Sequence, residues 1–158
     1  MQYKNFGNMS CPIARSLERV GEWWSILILR DCLHGLTRFD EFTKSLGIAP
    51  SMLSRRLHGL VKTGLLARQK YSSRPTRYEY VLTQRGRDFQ PVIASLLIWG
   101  NAQIAPGDRL TMFVNRETGL PADPVWIDRA TGLPLSDPIF TVSEKGIDRM
   151  NPEGRAAS

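Results

Sequence analysis

Residues 48–64, Ile-Ala-Pro-Ser-Met-Leu-Ser-Arg-Arg-Leu-His-Gly-Leu-Val-Lys-Thr-Gly, constrain the fold of this chain most tightly. Pro50 suits the first turn of a helix, where its missing N–H costs nothing, and Gly64 suits the left-handed position just past a helix end. Between them Leu53, Leu57, Leu60 and Val61 recur at helical spacing and define one apolar face. Ser51, Ser54, Arg55, His58 and Lys62 fall on the opposite face, which carries hydrogen-bonding and cationic groups and no acid. A solvated helix face usually mixes both signs of charge. Ser, Arg, His and Lys together are what a helix needs to lie in the major groove of DNA. Taken alone, the same face also reads as an ordinary exposed one.

Its neighbours favour the first reading. Residues 38–46 read as a short helix, with Thr37 expected to cap it and Asp40 and Glu41 at the positive end of its dipole. Gly47-Ile48-Ala49 then makes a three-residue turn, so helix, short turn and helix follow one another. Phe39, Phe42 and Leu46 are spaced to meet the Leu53/Leu57 face. Residues 65–71 switch to a period of two, residues 72–76 read as a turn, and residues 77–82 form a second β-like run. This is a hairpin with Arg74 and Arg77 at its tip, placed where a winged helix carries its wing. Between positions 55 and 87 there are nine basic residues, Arg56 and Arg68 among them, and one acid, Glu79. The basic excess of the whole chain, +6, therefore belongs to this region and suits a polyanion-binding surface.

The rest of the 158 residues supports this core. Ser10-Cys11-Pro12 looks like a helix start, with the helix running through Ile13, Leu17 and Val20 to Gly21. A second helix, from near Glu22 to Gly35, is apolar almost all round and is expected to be the buried centre of the domain. Thr83 is placed to cap a helix over residues 84–102, which Pro91 must kink or restart. Beyond Pro91 that helix is apolar on more than one face, which calls for a second subunit. The fold class predicted is mainly α with a small β-hairpin wing, a winged helix-turn-helix, as a homodimer. Two cysteines and two isolated histidines complete no disulfide framework and no metal motif, so no cofactor is expected. No nucleophile–base–acid set and no phosphate-binding glycine loop stands out, so the chain does not read as an enzyme. No run of eighteen apolar residues and no secretory signal before the first helix lead to a cytoplasmic expectation, with no membrane partner.

Several ordered segments resemble the HxlR-type winged helix-turn-helix regulators, a MarR-like group. They are Glu18-Arg-Val-Gly-Glu-Trp-Trp-Ser-Ile-Leu-Ile-Leu-Arg-Asp31, Arg38-Phe-Asp-Glu-Phe42, Leu53-Ser-Arg-Arg-Leu57 and Gly64-Leu-Leu66. Arg74-Pro-Thr-Arg-Tyr-Glu-Tyr80, Leu82-Thr-Gln-Arg-Gly86 and Trp99-Gly100 continue the series. The resemblance implies a homodimeric transcription factor whose dimer is built from the first and last helices of the core. It implies a DNA-binding and dimerisation domain over residues 8–105 and a C-terminal extension over 106–158. Two departures bear on base contacts: Ala49-Pro50 stands where the family often starts its recognition helix with Ser, and Pro75-Thr76 where it often has Pro-Pro.

The function expected is sequence-specific binding of double-stranded DNA, as a repressor on a pseudo-palindromic operator. Ser51, Ser54, Arg55 and His58 are assigned to base edges, and Arg38, Arg56, Lys62, Arg68, Arg74 and Arg77 to phosphates or the minor groove. Cys11, before Pro12 at a helix N-terminus, is a candidate redox or electrophile sensor, because the helix dipole favours its thiolate. Many relatives of this type carry a thiol there. Cys32, late in an apolar helix, is expected to be inert. Two alternatives stand beside this reading: a regulator with an apolar small-molecule effector pocket near Trp23, Trp24 or Trp99, and a protein-interaction module without DNA binding. In the extension, Arg116-Glu-Thr-Gly-Leu-Pro121 and Arg129-Ala-Thr-Gly-Leu-Pro134 are duplicated turns, and the flanking Met112-Phe-Val114, Val125-Trp-Ile127 and Ile139-Phe-Thr-Val142 are short strands expected to form a β-meander. Residues 150–158 are expected to be disordered.

Overall fold

The structure is a computed structural model that describes residues 13, 16, 20, 22–103, 105, 111–122 and 124–141. Cys11 and residues 150–158 lie outside the described residues. The chain divides into two compact units, Met1–Leu110 and Thr111–Ser158.

In the first unit, Ile13, Ser16 and Val20 are helical, and α1 (Trp23–Leu33), α2 (Phe39–Leu46) and α3 (Pro50–Lys62) follow. A hairpin of β1 (Leu66–Ser73) and β2 (Thr76–Leu82) leads to α4 (Gln84–Arg87) and α5 (Gln90–Ala102). The predicted class, mainly α with a β-hairpin wing, is the class observed. Among the described residues the core is Val20, Ile28, Leu29, Cys32, Phe42, Ile48, Leu53, Leu57, Leu60, Leu65 and Leu66, drawn from the helical segment before α1, from α1, α2 and α3, from the turn between the last two and from the base of the wing. Each large side chain buried there stabilises the fold by roughly 1.5–3 kcal/mol.

The helix ends are set by glycine. Gly35, Gly47 and Gly64 all have positive φ. At the end of α3, the Leu65 N–H donates to the Leu60 carbonyl at 2.9 Å and the Gly64 N–H to Val61 at 3.0 Å, a Schellman arrangement. The start of α2 differs from expectation. Thr37 does not cap it; the Glu41 carboxylate does, accepting from the N–H groups of Thr37 (2.9 Å) and Arg38 (2.8 Å). The Thr37 hydroxyl instead donates to Glu79 of β2 at 3.1 Å, while the Tyr80 N–H donates to the Thr37 carbonyl at 2.8 Å. The wing is thereby stapled to the helix-turn-helix.

Two further expectations are corrected. The central helix α1 is buried on one face only, since Trp23 is 73% exposed. The turn expected over residues 72–76 is tighter: Ser72, Ser73 and Thr76 are paired, leaving only Arg74-Pro75 at the tip. Of the two outcomes expected at Pro91, the helix restarts: α4 ends at Arg87 and Pro91 sits in the first turn of α5. Thr83 does cap α4, accepting from the Gly86 N–H at 3.1 Å.

In the second unit the meander reduces to two loops, each closed by a single bridge, Val114↔Pro121 and Ile127↔Pro134. The duplication is structural. Asn115 accepts from the N–H of Glu117 and Thr118, and Asp128 occupies the same place, accepting from the Thr131 N–H and hydroxyl at 2.8 Å each. Those bonds hold the Asp128 carboxyl below its ordinary pKa. Gly119 and Gly132, both at positive φ, donate back to the carbonyls of Asn115 and Asp128 at 2.8 Å. Among the described residues no helix is long and apolar enough to cross a membrane.

Candidate nucleic-acid interface

Leu53, Leu57 and Leu60 are buried, so their spacing fixes the rotation of α3 about its axis. Ser51, Ser54, Arg55, His58 and Lys62 are consequently all exposed on the other side. The exposed side chains of α3 include no acid. Arg55 lies along the helix surface, donating from Nη2 to the Met52 Sδ at 3.0 Å, a weak acceptor that a better one would displace.

Arg56 behaves differently. Its side chain is only 13% exposed and its guanidinium is ion-paired with Glu22, the residue that precedes α1. It therefore anchors α3 to the start of the central helix rather than standing free for a phosphate. Its Nε is buried without a partner among the described residues, which makes the Glu22 contact costly to lose. The two residues are 34 positions apart, and no local pattern could have linked them.

The wing carries Arg74 at its exposed tip, and Arg77, expected at the tip, is exposed on β2, paired with Ser72. On its flank the Arg68 guanidinium stacks 3.6 Å from the Tyr78 ring centroid, and Arg38, at the start of α2, lies 4.8 Å from that of Tyr71. Such stacking holds a guanidinium in place without neutralising it. Arg85 and Arg87, counted in the basic excess, serve the fold instead: Arg85 donates to the Thr63 carbonyl at 3.1 Å and Arg87 to Leu82 at 2.7 Å. Trp23 and Trp99, expected near an effector pocket, stand 73% and 68% exposed in the single chain. A cavity lies elsewhere, between the wing and the start of α2.

A glycine-turned helix pair, a second helix with a basic outer face and a following β-hairpin define the winged helix-turn-helix class. Residues 19–108 match the family model described as HxlR-like helix-turn-helix, and the chain belongs to that family. It is 47% identical over 89 residues to an uncharacterised HTH-type transcriptional regulator of Mycobacterium tuberculosis, covering 56% of this chain and 56% of that protein. The match thus spans little more than half of the relative's length. The YdeP regulator of Bacillus subtilis, also uncharacterised, is 35% identical over 91 residues, 57% of this chain and 71% of that one. Among solved structures, a candidate transcription factor, PA1607, superposes with a TM-score of 0.78 at 37% identity, covering 88% of this chain and 98% of its own. The redox regulator HypR in its reduced form gives 0.56 at 29% identity, over 59% of this chain and 93% of its own.

Proposed function

We propose that the protein is a sequence-specific DNA-binding transcriptional regulator that works as a homodimer on a pseudo-palindromic operator. The observation that carries this reading is the acid-free exposed face of α3, Ser51, Ser54, Arg55, His58 and Lys62. In it Ser51, Ser54, Arg55 and His58 meet base edges, while Arg38, Lys62, Arg68, Arg74 and Arg77 meet phosphates or the minor groove. Residues 8–105 are the DNA-binding and dimerisation domain and residues 106–158 an extension of it. Dimerisation is supported by α5, which has no buried residue although Val92, Leu96 and Trp99 are exposed on it. A dimer seated across a promoter blocks polymerase, so repression is the expected sign. A thiol switch at Cys11 is supported by its place before Pro12 and by the likeness to HypR.

Fluorescence anisotropy on the promoter region of the protein's own gene tests this. Affinity should fall steeply with salt, because each phosphate contact releases condensed counterions. Arg55→Ala should cost about 1–3 kcal/mol and relax preference at one base position, whereas Arg74→Ala should weaken all sequences alike. An Arg55→Ala protein with unchanged affinity and preference would place the recognition face elsewhere. Diamide should change affinity in the parent and leave Cys11→Ser unaffected.

A further inference from the structure

Arg55 and Arg56 are consecutive on α3 and meet different fates. Arg55 is exposed and touches the Met52 sulfur, whereas Arg56 is largely buried and ion-paired with Glu22. Neighbouring side chains on a helix point about 100° apart. That turn carries Arg56 off the outer face to the flank beside the buried Leu53, Leu57 and Leu60. No Asp or Glu occurs in α3, so a carboxylate for Arg56 has to come from another element. Glu22 supplies it from the N-cap position of α1, where a carboxylate gains from the positive end of the helix dipole. Its side chain caps none of the α1 N–H groups and reaches α3 instead.

The pair withholds a cation from the outer surface. Each Lys or Arg free to meet a phosphate adds affinity for every DNA sequence alike, while discrimination comes from the base edges. A second free arginine beside Arg55 would therefore strengthen binding to unrelated DNA. The Arg56 Nε is buried with no hydrogen-bond partner among the described residues, so the Glu22 charge is what compensates the guanidinium in this position. Without that charge a partly dehydrated guanidinium is driven outward, to water or to phosphate. The pair also ties the flank of α3 to the start of α1. A bidentate contact from Arg55 tolerates little movement of the helix that carries it.

We infer that Glu22 is a specificity-determining residue that touches no DNA. By holding Arg56 off the phosphates and tying α3 to α1, it keeps binding to unrelated sequences weak relative to the operator. This role rests on the DNA-binding reading above. Its signature is a different response on two DNAs. Removing the Glu22 charge strengthens binding to unrelated sequences and gives the operator no gain. A simple loss of folded protein would instead weaken both by the same factor.

Fluorescence anisotropy on the full chain can compare the promoter fragment of the protein's own gene with a shuffled fragment of the same length and base composition, each over a range of salt. In Glu22→Gln the shuffled fragment should be bound more tightly at low salt. The slope of log affinity against log salt should steepen by about 0.9 for each chain bound, the mark of one added phosphate contact. The promoter fragment should gain nothing, so the ratio of the two affinities should fall by about tenfold. Arg56→Gln alone should keep the parent's slope on the shuffled fragment, because in the parent that guanidinium meets no phosphate. The double variant Glu22→Gln/Arg56→Gln should return the slope to the parent's value, and Glu22→Asp, which keeps the charge, should retain most of the ratio. A Glu22→Gln protein with the parent's slope and ratio would overturn the role, as would equal weakening on both fragments. A shallower slope in Arg56→Gln alone would overturn it too, and that measurement decides the matter even if Glu22→Gln fails to fold. A parent that binds both fragments equally would overturn the sequence-specific reading and the role of Glu22 with it, whereas a discriminating parent with unresponsive variants would overturn the role alone.

Discussion

Gly86 leaves no room for a side chain. A Cβ built there would stand 2.2 Å from the Leu65 carbonyl oxygen and 2.9 Å from a Leu82 methyl. The oxygen is backbone and cannot swing away, so α4 would have to lift from the base of the wing. Gly86→Ala should therefore destabilise the fold by about 1–3 kcal/mol or more, read as a lower urea midpoint. Unchanged stability would mean that α4 does not rest on Leu65. Cys32 gives a second expectation at this scale. Burial, helped by the neighbouring Asp31 charge, pushes its thiol up to about 12. Asp31 is itself buried and paired with Arg30 at 2.7 Å. Native protein at pH 8 should thus leave Cys32 unmodified by iodoacetamide while unfolded protein is alkylated, as mass spectrometry of tryptic peptides would report. Rapid native labelling of Cys32 would contradict its placement in the core.

The start of α2 carries a pH dependence. Hydrogen bonds from the Arg38 and Thr37 N–H groups hold the Glu41 carboxyl below its ordinary pKa. A carboxylate depressed in the folded state stabilises the fold above its unfolded pKa, and that contribution is lost as pH falls through the folded value. Urea midpoints should accordingly fall on acidification across the carboxylate range, and less so in Glu41→Gln. Equal pH profiles for the two proteins would remove Glu41 from the cap. The elements themselves were legible because their signals are local: helical spacing of leucines in α3, Pro at its start, glycines at positive φ, alternation in the wing. The exposed face of α3 followed directly from that spacing. Contacts between elements were not legible. Arg56 looks like a groove-facing cation until Glu22, 34 positions earlier, is placed beside it. Thr37 looks like a cap until Glu79, 42 positions later, takes its hydroxyl. The register slip that leaves Tyr71 unpaired in β1 is one that alternation alone cannot reveal, and the loops of the second unit are held by Asn115 and Asp128 where the duplicated turns suggest short flanking strands.

At the scale of the molecule, a core of eleven hydrophobic residues among those described, all between positions 20 and 66, supports the first unit. No described residue from 111 to 141 is buried, although Leu120, Val125, Ile127 and Ile139 are among its exposed apolar side chains. The absence of a buried residue there, and in α5, has a calorimetric consequence. Unfolding raises heat capacity in proportion to the apolar surface it uncovers, about 2 kcal/mol/K for a fully packed chain of this length. A lone copy of this chain should fall well short of that figure and keep a flat stability curve. Two copies that bury α5 against each other should recover part of the deficit, so the heat-capacity increment per chain should grow with protein concentration across the association range. A value near 2 kcal/mol/K at every concentration, about what full packing predicts, would mean that the exposed apolar surface is already covered within one chain.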